Sequence, residues 1–218
     1  MYQAVLFDLD GTLLDSLADL AHSMNAVLSR AGLPQHPLAA YRYFVGDGME
    51  TLARRVLPGA GGNEALVQQT VAAMREEYAG RWAEETRPYE GVPQLLDTLA
   101  AHGVTMAILS NKPDDFTKKV VATLLGRWRF VAVRGVGADG VKKPDPGQAL
   151  AIAAELGIPA ANFLYLGDTN TDMLTANRAG MHAVGALWGF RTAEELKKNG
   201  AKALIARPQE LLQFFASP

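Results

Sequence analysis

From residue 88 onward, short apolar runs alternate with stretches of helical periodicity, and that alternation leaves the chain few folds to choose from. The runs lie at 104–109, 130–133, 163–166, 183–187 and 203–205. The helical patterns lie at 92–101, 113–125, 147–156, 172–179 and 192–198. Short strands separated by helices connect through right-handed crossovers, which predicts an α/β fold with a parallel sheet covered on both faces. Residues 5–9 form one more apolar run and supply the first strand. Residues 16–87 break the alternation. Ser16 and Asp19 fit a capping box, and Leu17, Leu20, Ala21, Met24, Val27 and Leu28 keep helical spacing up to Gly32. Met49, Leu52, Ala53 and Val56 predict a second helix, and Asn63 caps a third. The expected organisation is therefore an α/β core from 1–15 and 88–218, with an all-helical domain, 16–87, inserted after the first strand.

The first strand ends in Asp8, Leu9, Asp10 and Gly11. Side chains at i and i+2 of an extended chain point the same way, which predicts that Asp8 and Asp10 face one side. Two carboxylates there could hold a divalent cation, or divide nucleophile and general-acid roles. The same residues are also ordinary turn chemistry. In an open parallel sheet, ligands sit outside the carboxyl ends of the strands, and Asp8, Ser110 and Asp168 each follow an apolar run.

Composition narrows the function. A net charge of −2 provides no basic field, so nucleic acid is not an expected partner. The first apolar run is too short for a membrane span or a signal peptide, and a cytoplasmic protein without membrane attachment is expected. With no cysteine there is no thiol nucleophile or thiolate metal site, and four scattered histidines show no ligand spacing. A metal, if present, is expected to be a hard cation on oxygen ligands. Gly135, Gly137 and Gly140 match a dinucleotide fingerprint, but that motif must open a helix, and Pro144 and Pro146 block one there. No nucleotide cofactor is expected.

Residues 7–16, Phe-Asp-Leu-Asp-Gly-Thr-Leu-Leu-Asp-Ser, resemble the first motif of the haloacid dehalogenase superfamily of phosphohydrolases. Leu109-Ser110-Asn111-Lys112, Lys143-Pro144-Asp145-Pro146 and Gly167-Asp168-Thr169-Asn170-Thr171-Asp172 are similar to the family's other three motifs, in the family's order. The resemblance implies a Rossmann-like sheet of strand order 3-2-1-4-5 with an inserted helical cap. It implies Asp8 as nucleophile and Asp10 as the acid that protonates the leaving oxygen and then activates water. Ser110, the Asn111 backbone amide and Lys143 would stabilise the phosphoryl oxygens, with Thr12 a weaker substrate contact. Mg²⁺ would bind Asp8, the Asp10 carbonyl and Asp168, with Asp172 orienting a bound water.

Asp10 argues against dehalogenation, and the absence of lysine from residues 1–111 argues against imine-based phosphonate cleavage. Residues 42–48 resemble the cap loop of phosphoglycolate phosphatases, which implies substrate contacts from Arg42, Gly46 and Asp47. Asp47 stands where that family mostly has Asn, and its carboxylate would oppose an acidic substrate. The expected activity is hydrolysis of a small phosphorylated metabolite by a monomer or homodimer. A sugar-phosphate mutase is second, and an inactive binding protein third.

Overall fold

Ala4–Phe7 (β1) is fully buried along its length, so both faces of this strand are covered by protein. The computed structural model describes residues 2–59 and 63–215. β1 is followed by the two-residue strands Leu14–Asp15 (β2) and Arg87–Pro88 (β3), then by Thr105–Pro113 (β4), Ala132–Val136 (β5), Phe163–Gly167 (β6), His182–Ala186 (β7) and Ala203–Ile205 (β8). Two compact units result, one of Met1–Leu14 with Pro88–Pro218 and one of Asp15–Arg87.

In the first unit, six parallel strands lie in the order β5-β4-β1-β6-β7-β8. Counted along the sheet-forming strands, this is 3-2-1-4-5 extended at one edge by a sixth. The expected five-strand order is corrected by that addition: residues 203–205, already expected as one of the short runs, pair with β7 as a sixth strand. The helices of this unit are Val92–Ala101 (α5), Asp114–Leu124 (α6), Gly147–Leu156 (α7), Asn170–Arg178 (α8) and Ala193–Lys198 (α9). On the face carrying Ala4 and Leu6, the core is filled by α7 through Ala149 and Ile152, by α8 through Met173 and Ala176, and by Leu196 of α9. Val5 and Phe7 point to the other face, which is buried as well. Each such large side chain removed from water contributes roughly 1.5–3 kcal/mol, so β1 is anchored well enough to position Asp8 and the turn after it.

β1 lies between β4 and β6, with Phe7 opposite Ile108 on one side and Leu166 on the other. Phe7, Ile108 and Leu166 therefore stand at one height across the three central strands. β4 runs past the expected end at 109 as far as Pro113, with a shift of register between Leu109 and Pro113. Such an irregularity re-aims side chains at a strand end, and Ser110, Asn111 and Lys112 are all buried there. Gly135 lies inside β5 and the next helix begins only at Gly147, so the glycine fingerprint opens no helix.

The second unit is helical: Leu17–Arg30 (α1), Leu38–Phe44 (α2), Met49–Val56 (α3) and Glu64–Arg81 (α4). Asn63 caps α4 by accepting the Leu66 amide at 3.1 Å, as its position in the sequence predicts. The capping box expected at Ser16 is absent: the Ser16 side chain makes no cap bond to α1. Asp19, its partner in that box, instead accepts the Glu85 and Thr86 amides and the Thr86 hydroxyl, the last at 2.6 Å. Three donors from the returning chain satisfy that carboxylate better than one amide could. α2 carries no clear stripe in the sequence, and residues 42–44 are its last turn, so the expected 42–48 loop begins only at Val45. Among the described residues no helix is long and apolar enough to cross a membrane.

Candidate active site

The chain leaves β1 at Asp8, whose amide donates to the Leu166 carbonyl at 2.9 Å. Gly11 then turns the backbone with φ of 91°, a conformation glycine adopts without strain. Asp8 and Asp10 lie between the end of β1 and that turn, outside the strand, so the i, i+2 rule for strands does not govern them. Each meets its own lysine. Lys143 Nζ lies 2.7 Å from Asp8 Oδ1 and 2.7 Å from Asp172 Oδ1. Lys112 Nζ lies 2.9 Å from Asp10 Oδ2 and 3.1 Å from Asp10 Oδ1.

Asp168, the residue after β6, is wholly buried. Its Oδ1 accepts the Thr12 hydroxyl at 2.8 Å, and its Oδ2 accepts the Phe190 amide at 2.8 Å. Gly11 and Gly189 close in around it, and a Cβ at either position would collide with the carboxylate or its Cβ. Asp172 caps α8, accepting the Thr169 amide and hydroxyl at Oδ2 while its Oδ1 holds Lys143. It thus serves the helix and the site at once. The buried Tyr165 hydroxyl reaches the same Oδ1 at 3.4 Å.

Asp8, Asp168 and Asp172 each offer an oxygen within 4.8 Å of the others, all three buried. Burial raises Asp8 well above the ordinary carboxyl value, and the charges of Asp172 and Asp168 raise it further, against the pull of Lys143. Burial and Asp172 push Asp168 up to about 7, although the Phe190 and Thr12 hydrogen bonds and Arg191 oppose this. For Lys143, burial disfavours the ammonium, but Asp172 and Asp8 together outweigh it and hold its pKa well above the ordinary value. Lys143 pairs with only two of the three buried carboxylates, so ionising all three leaves negative charge that it does not balance. Hard oxygen ligands with that excess fit a divalent cation.

The structure brings together Asp8, Asp10, Ser110, Asn111 and Asp168 at or just beyond adjoining strand ends, with Lys143 from the loop after β5 and Asp172 from the first turn of α8. Ser110 Oγ accepts the Lys112 amide at 3.1 Å. The Asn111 side chain clamps the Lys143 backbone from both sides, to its amide at 2.8 Å and its carbonyl at 3.2 Å. Thr12, the weaker candidate among the expected site residues, is fully buried and its hydroxyl donates to Asp168 at 2.8 Å, a local contact that holds that carboxylate in place. Arg42, Gly46 and Asp47 belong to the helical unit. Arg42 is exposed in the last turn of α2, and Gly46 takes a φ of 109°. Asp47 pairs with Arg55 at 2.6 Å, and Arg55 also donates to the Tyr43 and Phe44 carbonyls. Its charge is therefore compensated within its own unit. Asp47→Asn is expected to cost less than about 1 kcal/mol, because the pair is partly exposed, and to leave use of acidic substrates unimproved. A gain of several-fold in kcat/KM on such a substrate would contradict the compensation.

The sequence reading missed Lys112, although it is the first lysine in the chain and directly follows Ser110-Asn111. It also missed the segment from Trp188 to Phe190, in which Trp188 Nε1 donates to the Thr12 carbonyl at 3.0 Å and Phe190 holds Asp168. Nothing in a Trp-Gly-Phe tripeptide announces such a contact.

The sequence model described as haloacid dehalogenase-like hydrolase matches residues 5–186. Phosphoglycolate phosphatases of Pseudomonas putida and of Xanthomonas campestris pv. campestris strain 8004 are 34% and 33% identical to this chain. The two alignments cover 98% and 99% of this chain, and 80% and 97% of the relatives. Among solved structures, a protein of Lactobacillus delbrueckii subsp. bulgaricus, provisionally described as a phosphoglycolate phosphatase, superposes with a TM-score of 0.90 at 26% identity. That superposition covers 100% of this chain and 99% of the other. The phosphate complex of CbbY from Rhodobacter sphaeroides, with a TM-score of 0.79 at 22% identity and 97% and 96% coverage, shares the fold. A cluster of buried aspartates beside the sheet's carboxyl ends, a family match over most of the length and relatives aligned over most of theirs place this chain in the haloacid dehalogenase-like hydrolase family.

Proposed function

We propose that this protein is a Mg²⁺-dependent phosphatase of small phosphorylated metabolites, with phosphoglycolate the first substrate to test. The observation that carries the reading is Asp8 at the end of β1, ion-paired to Lys143 at 2.7 Å beside two further buried carboxylates. The names of the relatives support phosphoglycolate. Asp8, Asp168 and the Asp10 carbonyl would hold Mg²⁺, and Asp172 would orient its water. The ion, when bound, supplies positive charge against the carboxylates and the phosphoryl oxygens.

An Asp8 oxygen attacks phosphorus, and the bond to the leaving oxygen breaks as Asp10 gives that oxygen its proton. Asp10, now a carboxylate, takes a proton from water. That water attacks the aspartyl-phosphate, freeing Asp8 and inorganic phosphate. The Lys143 ammonium and the Ser110 hydroxyl face the charge that builds on the phosphoryl oxygens, and such fixed donors act at full strength where water is excluded. Asn111 holds Lys143 in place. The unit Asp15–Arg87 would serve as the cap, with Arg42 a further contact for an acidic substrate. Release of free phosphate from a panel of phosphorylated metabolites with Mg²⁺ tests the reading. No release from any of them overturns it.

Cation binding is also expected to show in stability. The Asp168 carboxyl titrates about 7 in the folded protein against 3.8 in its ordinary state. A raised folded value means that its stabilising contribution is present in full below the ordinary value and is lost as pH rises through the folded one. The chelated protein should therefore melt higher near pH 5.5 than near pH 8. Mg²⁺ should raise Tm most at the higher pH, where the carboxylates are ionised. Equal Mg²⁺ shifts at both pH values would count against ion binding by these groups.

A further inference from the structure

Lys112 takes no part in the catalytic steps assigned to Asp8 and Asp10, yet the fold fixes it closely. Its amide donates to Ser110 Oγ at 3.1 Å, and its carbonyl accepts the Thr117 hydroxyl at 3.2 Å. Glycine at 135 leaves room for that carbonyl, which any Cβ there would strike. The Lys112 side chain is only 4% exposed, while the Asp10 side chain it grips at both oxygens is 17% exposed. Long lysine side chains are rarely so buried without purpose.

The charge balance gives that purpose. A phosphate monoester is an anion, and it must approach the carboxyl groups of Asp8, Asp168 and Asp172. Lys143 is already engaged with two of these carboxylates. Lys112 sits on Asp10, the group assigned to the leaving oxygen. An ammonium within hydrogen-bond distance of Asp10 is also within reach of a group one or two bonds from that oxygen. It has three donors, so it can keep one on Asp10 and offer another to a second anion.

We propose that Lys112 is a specificity-determining residue that receives the carboxylate of the leaving alcohol, so that the preferred substrates are monophosphates of short hydroxy acids. This rests on the phosphatase reading. It places recognition of the acid group in the catalytic unit, next to the reacting atoms, and needs no contribution from the helical unit.

The test compares phosphoglycolate with 2-hydroxyethyl phosphate, which is similar in size but lacks the carboxylate, in wild type, Lys112→Met and Lys112→Arg. Both substrates should suffer in Lys112→Met, since Asp10 loses its partner. The ratio of their kcat/KM values should nevertheless fall by roughly 30-fold, the cost of leaving one member of a buried charge pair unpaired. Lys112→Arg should recover most of that ratio. Inhibition of wild type by free glycolate should weaken at least tenfold in Lys112→Met. A ratio unchanged within about threefold in a folded variant would show that Lys112 only anchors Asp10 and would overturn the proposal. If Lys112→Met does not fold, glycolate decides the matter in wild type: ethylene glycol inhibiting as well as glycolate overturns the proposal. Failure of wild type to release phosphate from either ester would instead overturn the phosphatase reading.

Discussion

Asp8→Asn is expected to fold as the wild type does and to release phosphate more slowly by a factor on the order of 10⁴ or more, the scale seen when a nucleophile is removed. The fold should tolerate the change because the amide oxygen can still accept from Lys143 and from the Leu9 amide, both 2.7 Å away in the native site. Removing one of three crowded buried carboxylates also relieves repulsion, so the chelated variant should melt no lower than the wild type. Asn cannot form the acyl phosphate. Asp10→Ala removes the acid–base group alone and should cost roughly 10²–10⁴-fold. Phosphate release measured alongside a thermal melt decides the matter. A folded Asp8→Asn protein within about tenfold of wild type would remove Asp8 from the nucleophile role.

Lys143→Met is expected to damage stability and turnover together. The side chain is 1% exposed and bridges Asp8 and Asp172, so its loss leaves buried carboxylates facing one another without their counter-ion. Breaking a buried pair from one side costs about 3–5 kcal/mol. For a chain of this size that lowers Tm by roughly 6–20 °C. Turnover should fall by about 10²–10³-fold, as when a fixed donor to developing charge is removed. Because Asp168 and Asp8 take up protons more readily than ordinary carboxyls, the stability loss should shrink toward low pH. Mg²⁺ should restore part of it at neutral pH. Unchanged melting and turnover within tenfold would mean that Lys143 is a bystander.

Much of this was legible in the chain. Residues 92–101 and 147–156 are helices at their expected bounds, and 203–205 is a strand, because periodicity and capping are relations between near neighbours. The Asp8, Ser110, Lys143 and Asp168 motifs could be found because each follows an apolar run, and a parallel sheet brings such ends together. Even so, Ser16 shows the limit of local rules: its capping partner Asp19 was taken by Glu85 and Thr86, more than sixty positions away.

Near-neighbour patterns in the chain were enough for the strands of the six-stranded sheet, most of the helices and the carboxylates that follow β1 and β6. Tertiary structure alone decided which charge meets which. Lys112 and Asp10 are 102 positions apart, Thr12 and Asp168 are 156, and Lys143 and Asp172 are 29. No period or spacing in the chain encodes those pairs. They result from strand register, from the shift at the end of β4 and from glycines that let Asp168 be enclosed. A buried charge is tolerated only beside its partner, and only the folded backbone determines where that partner stands.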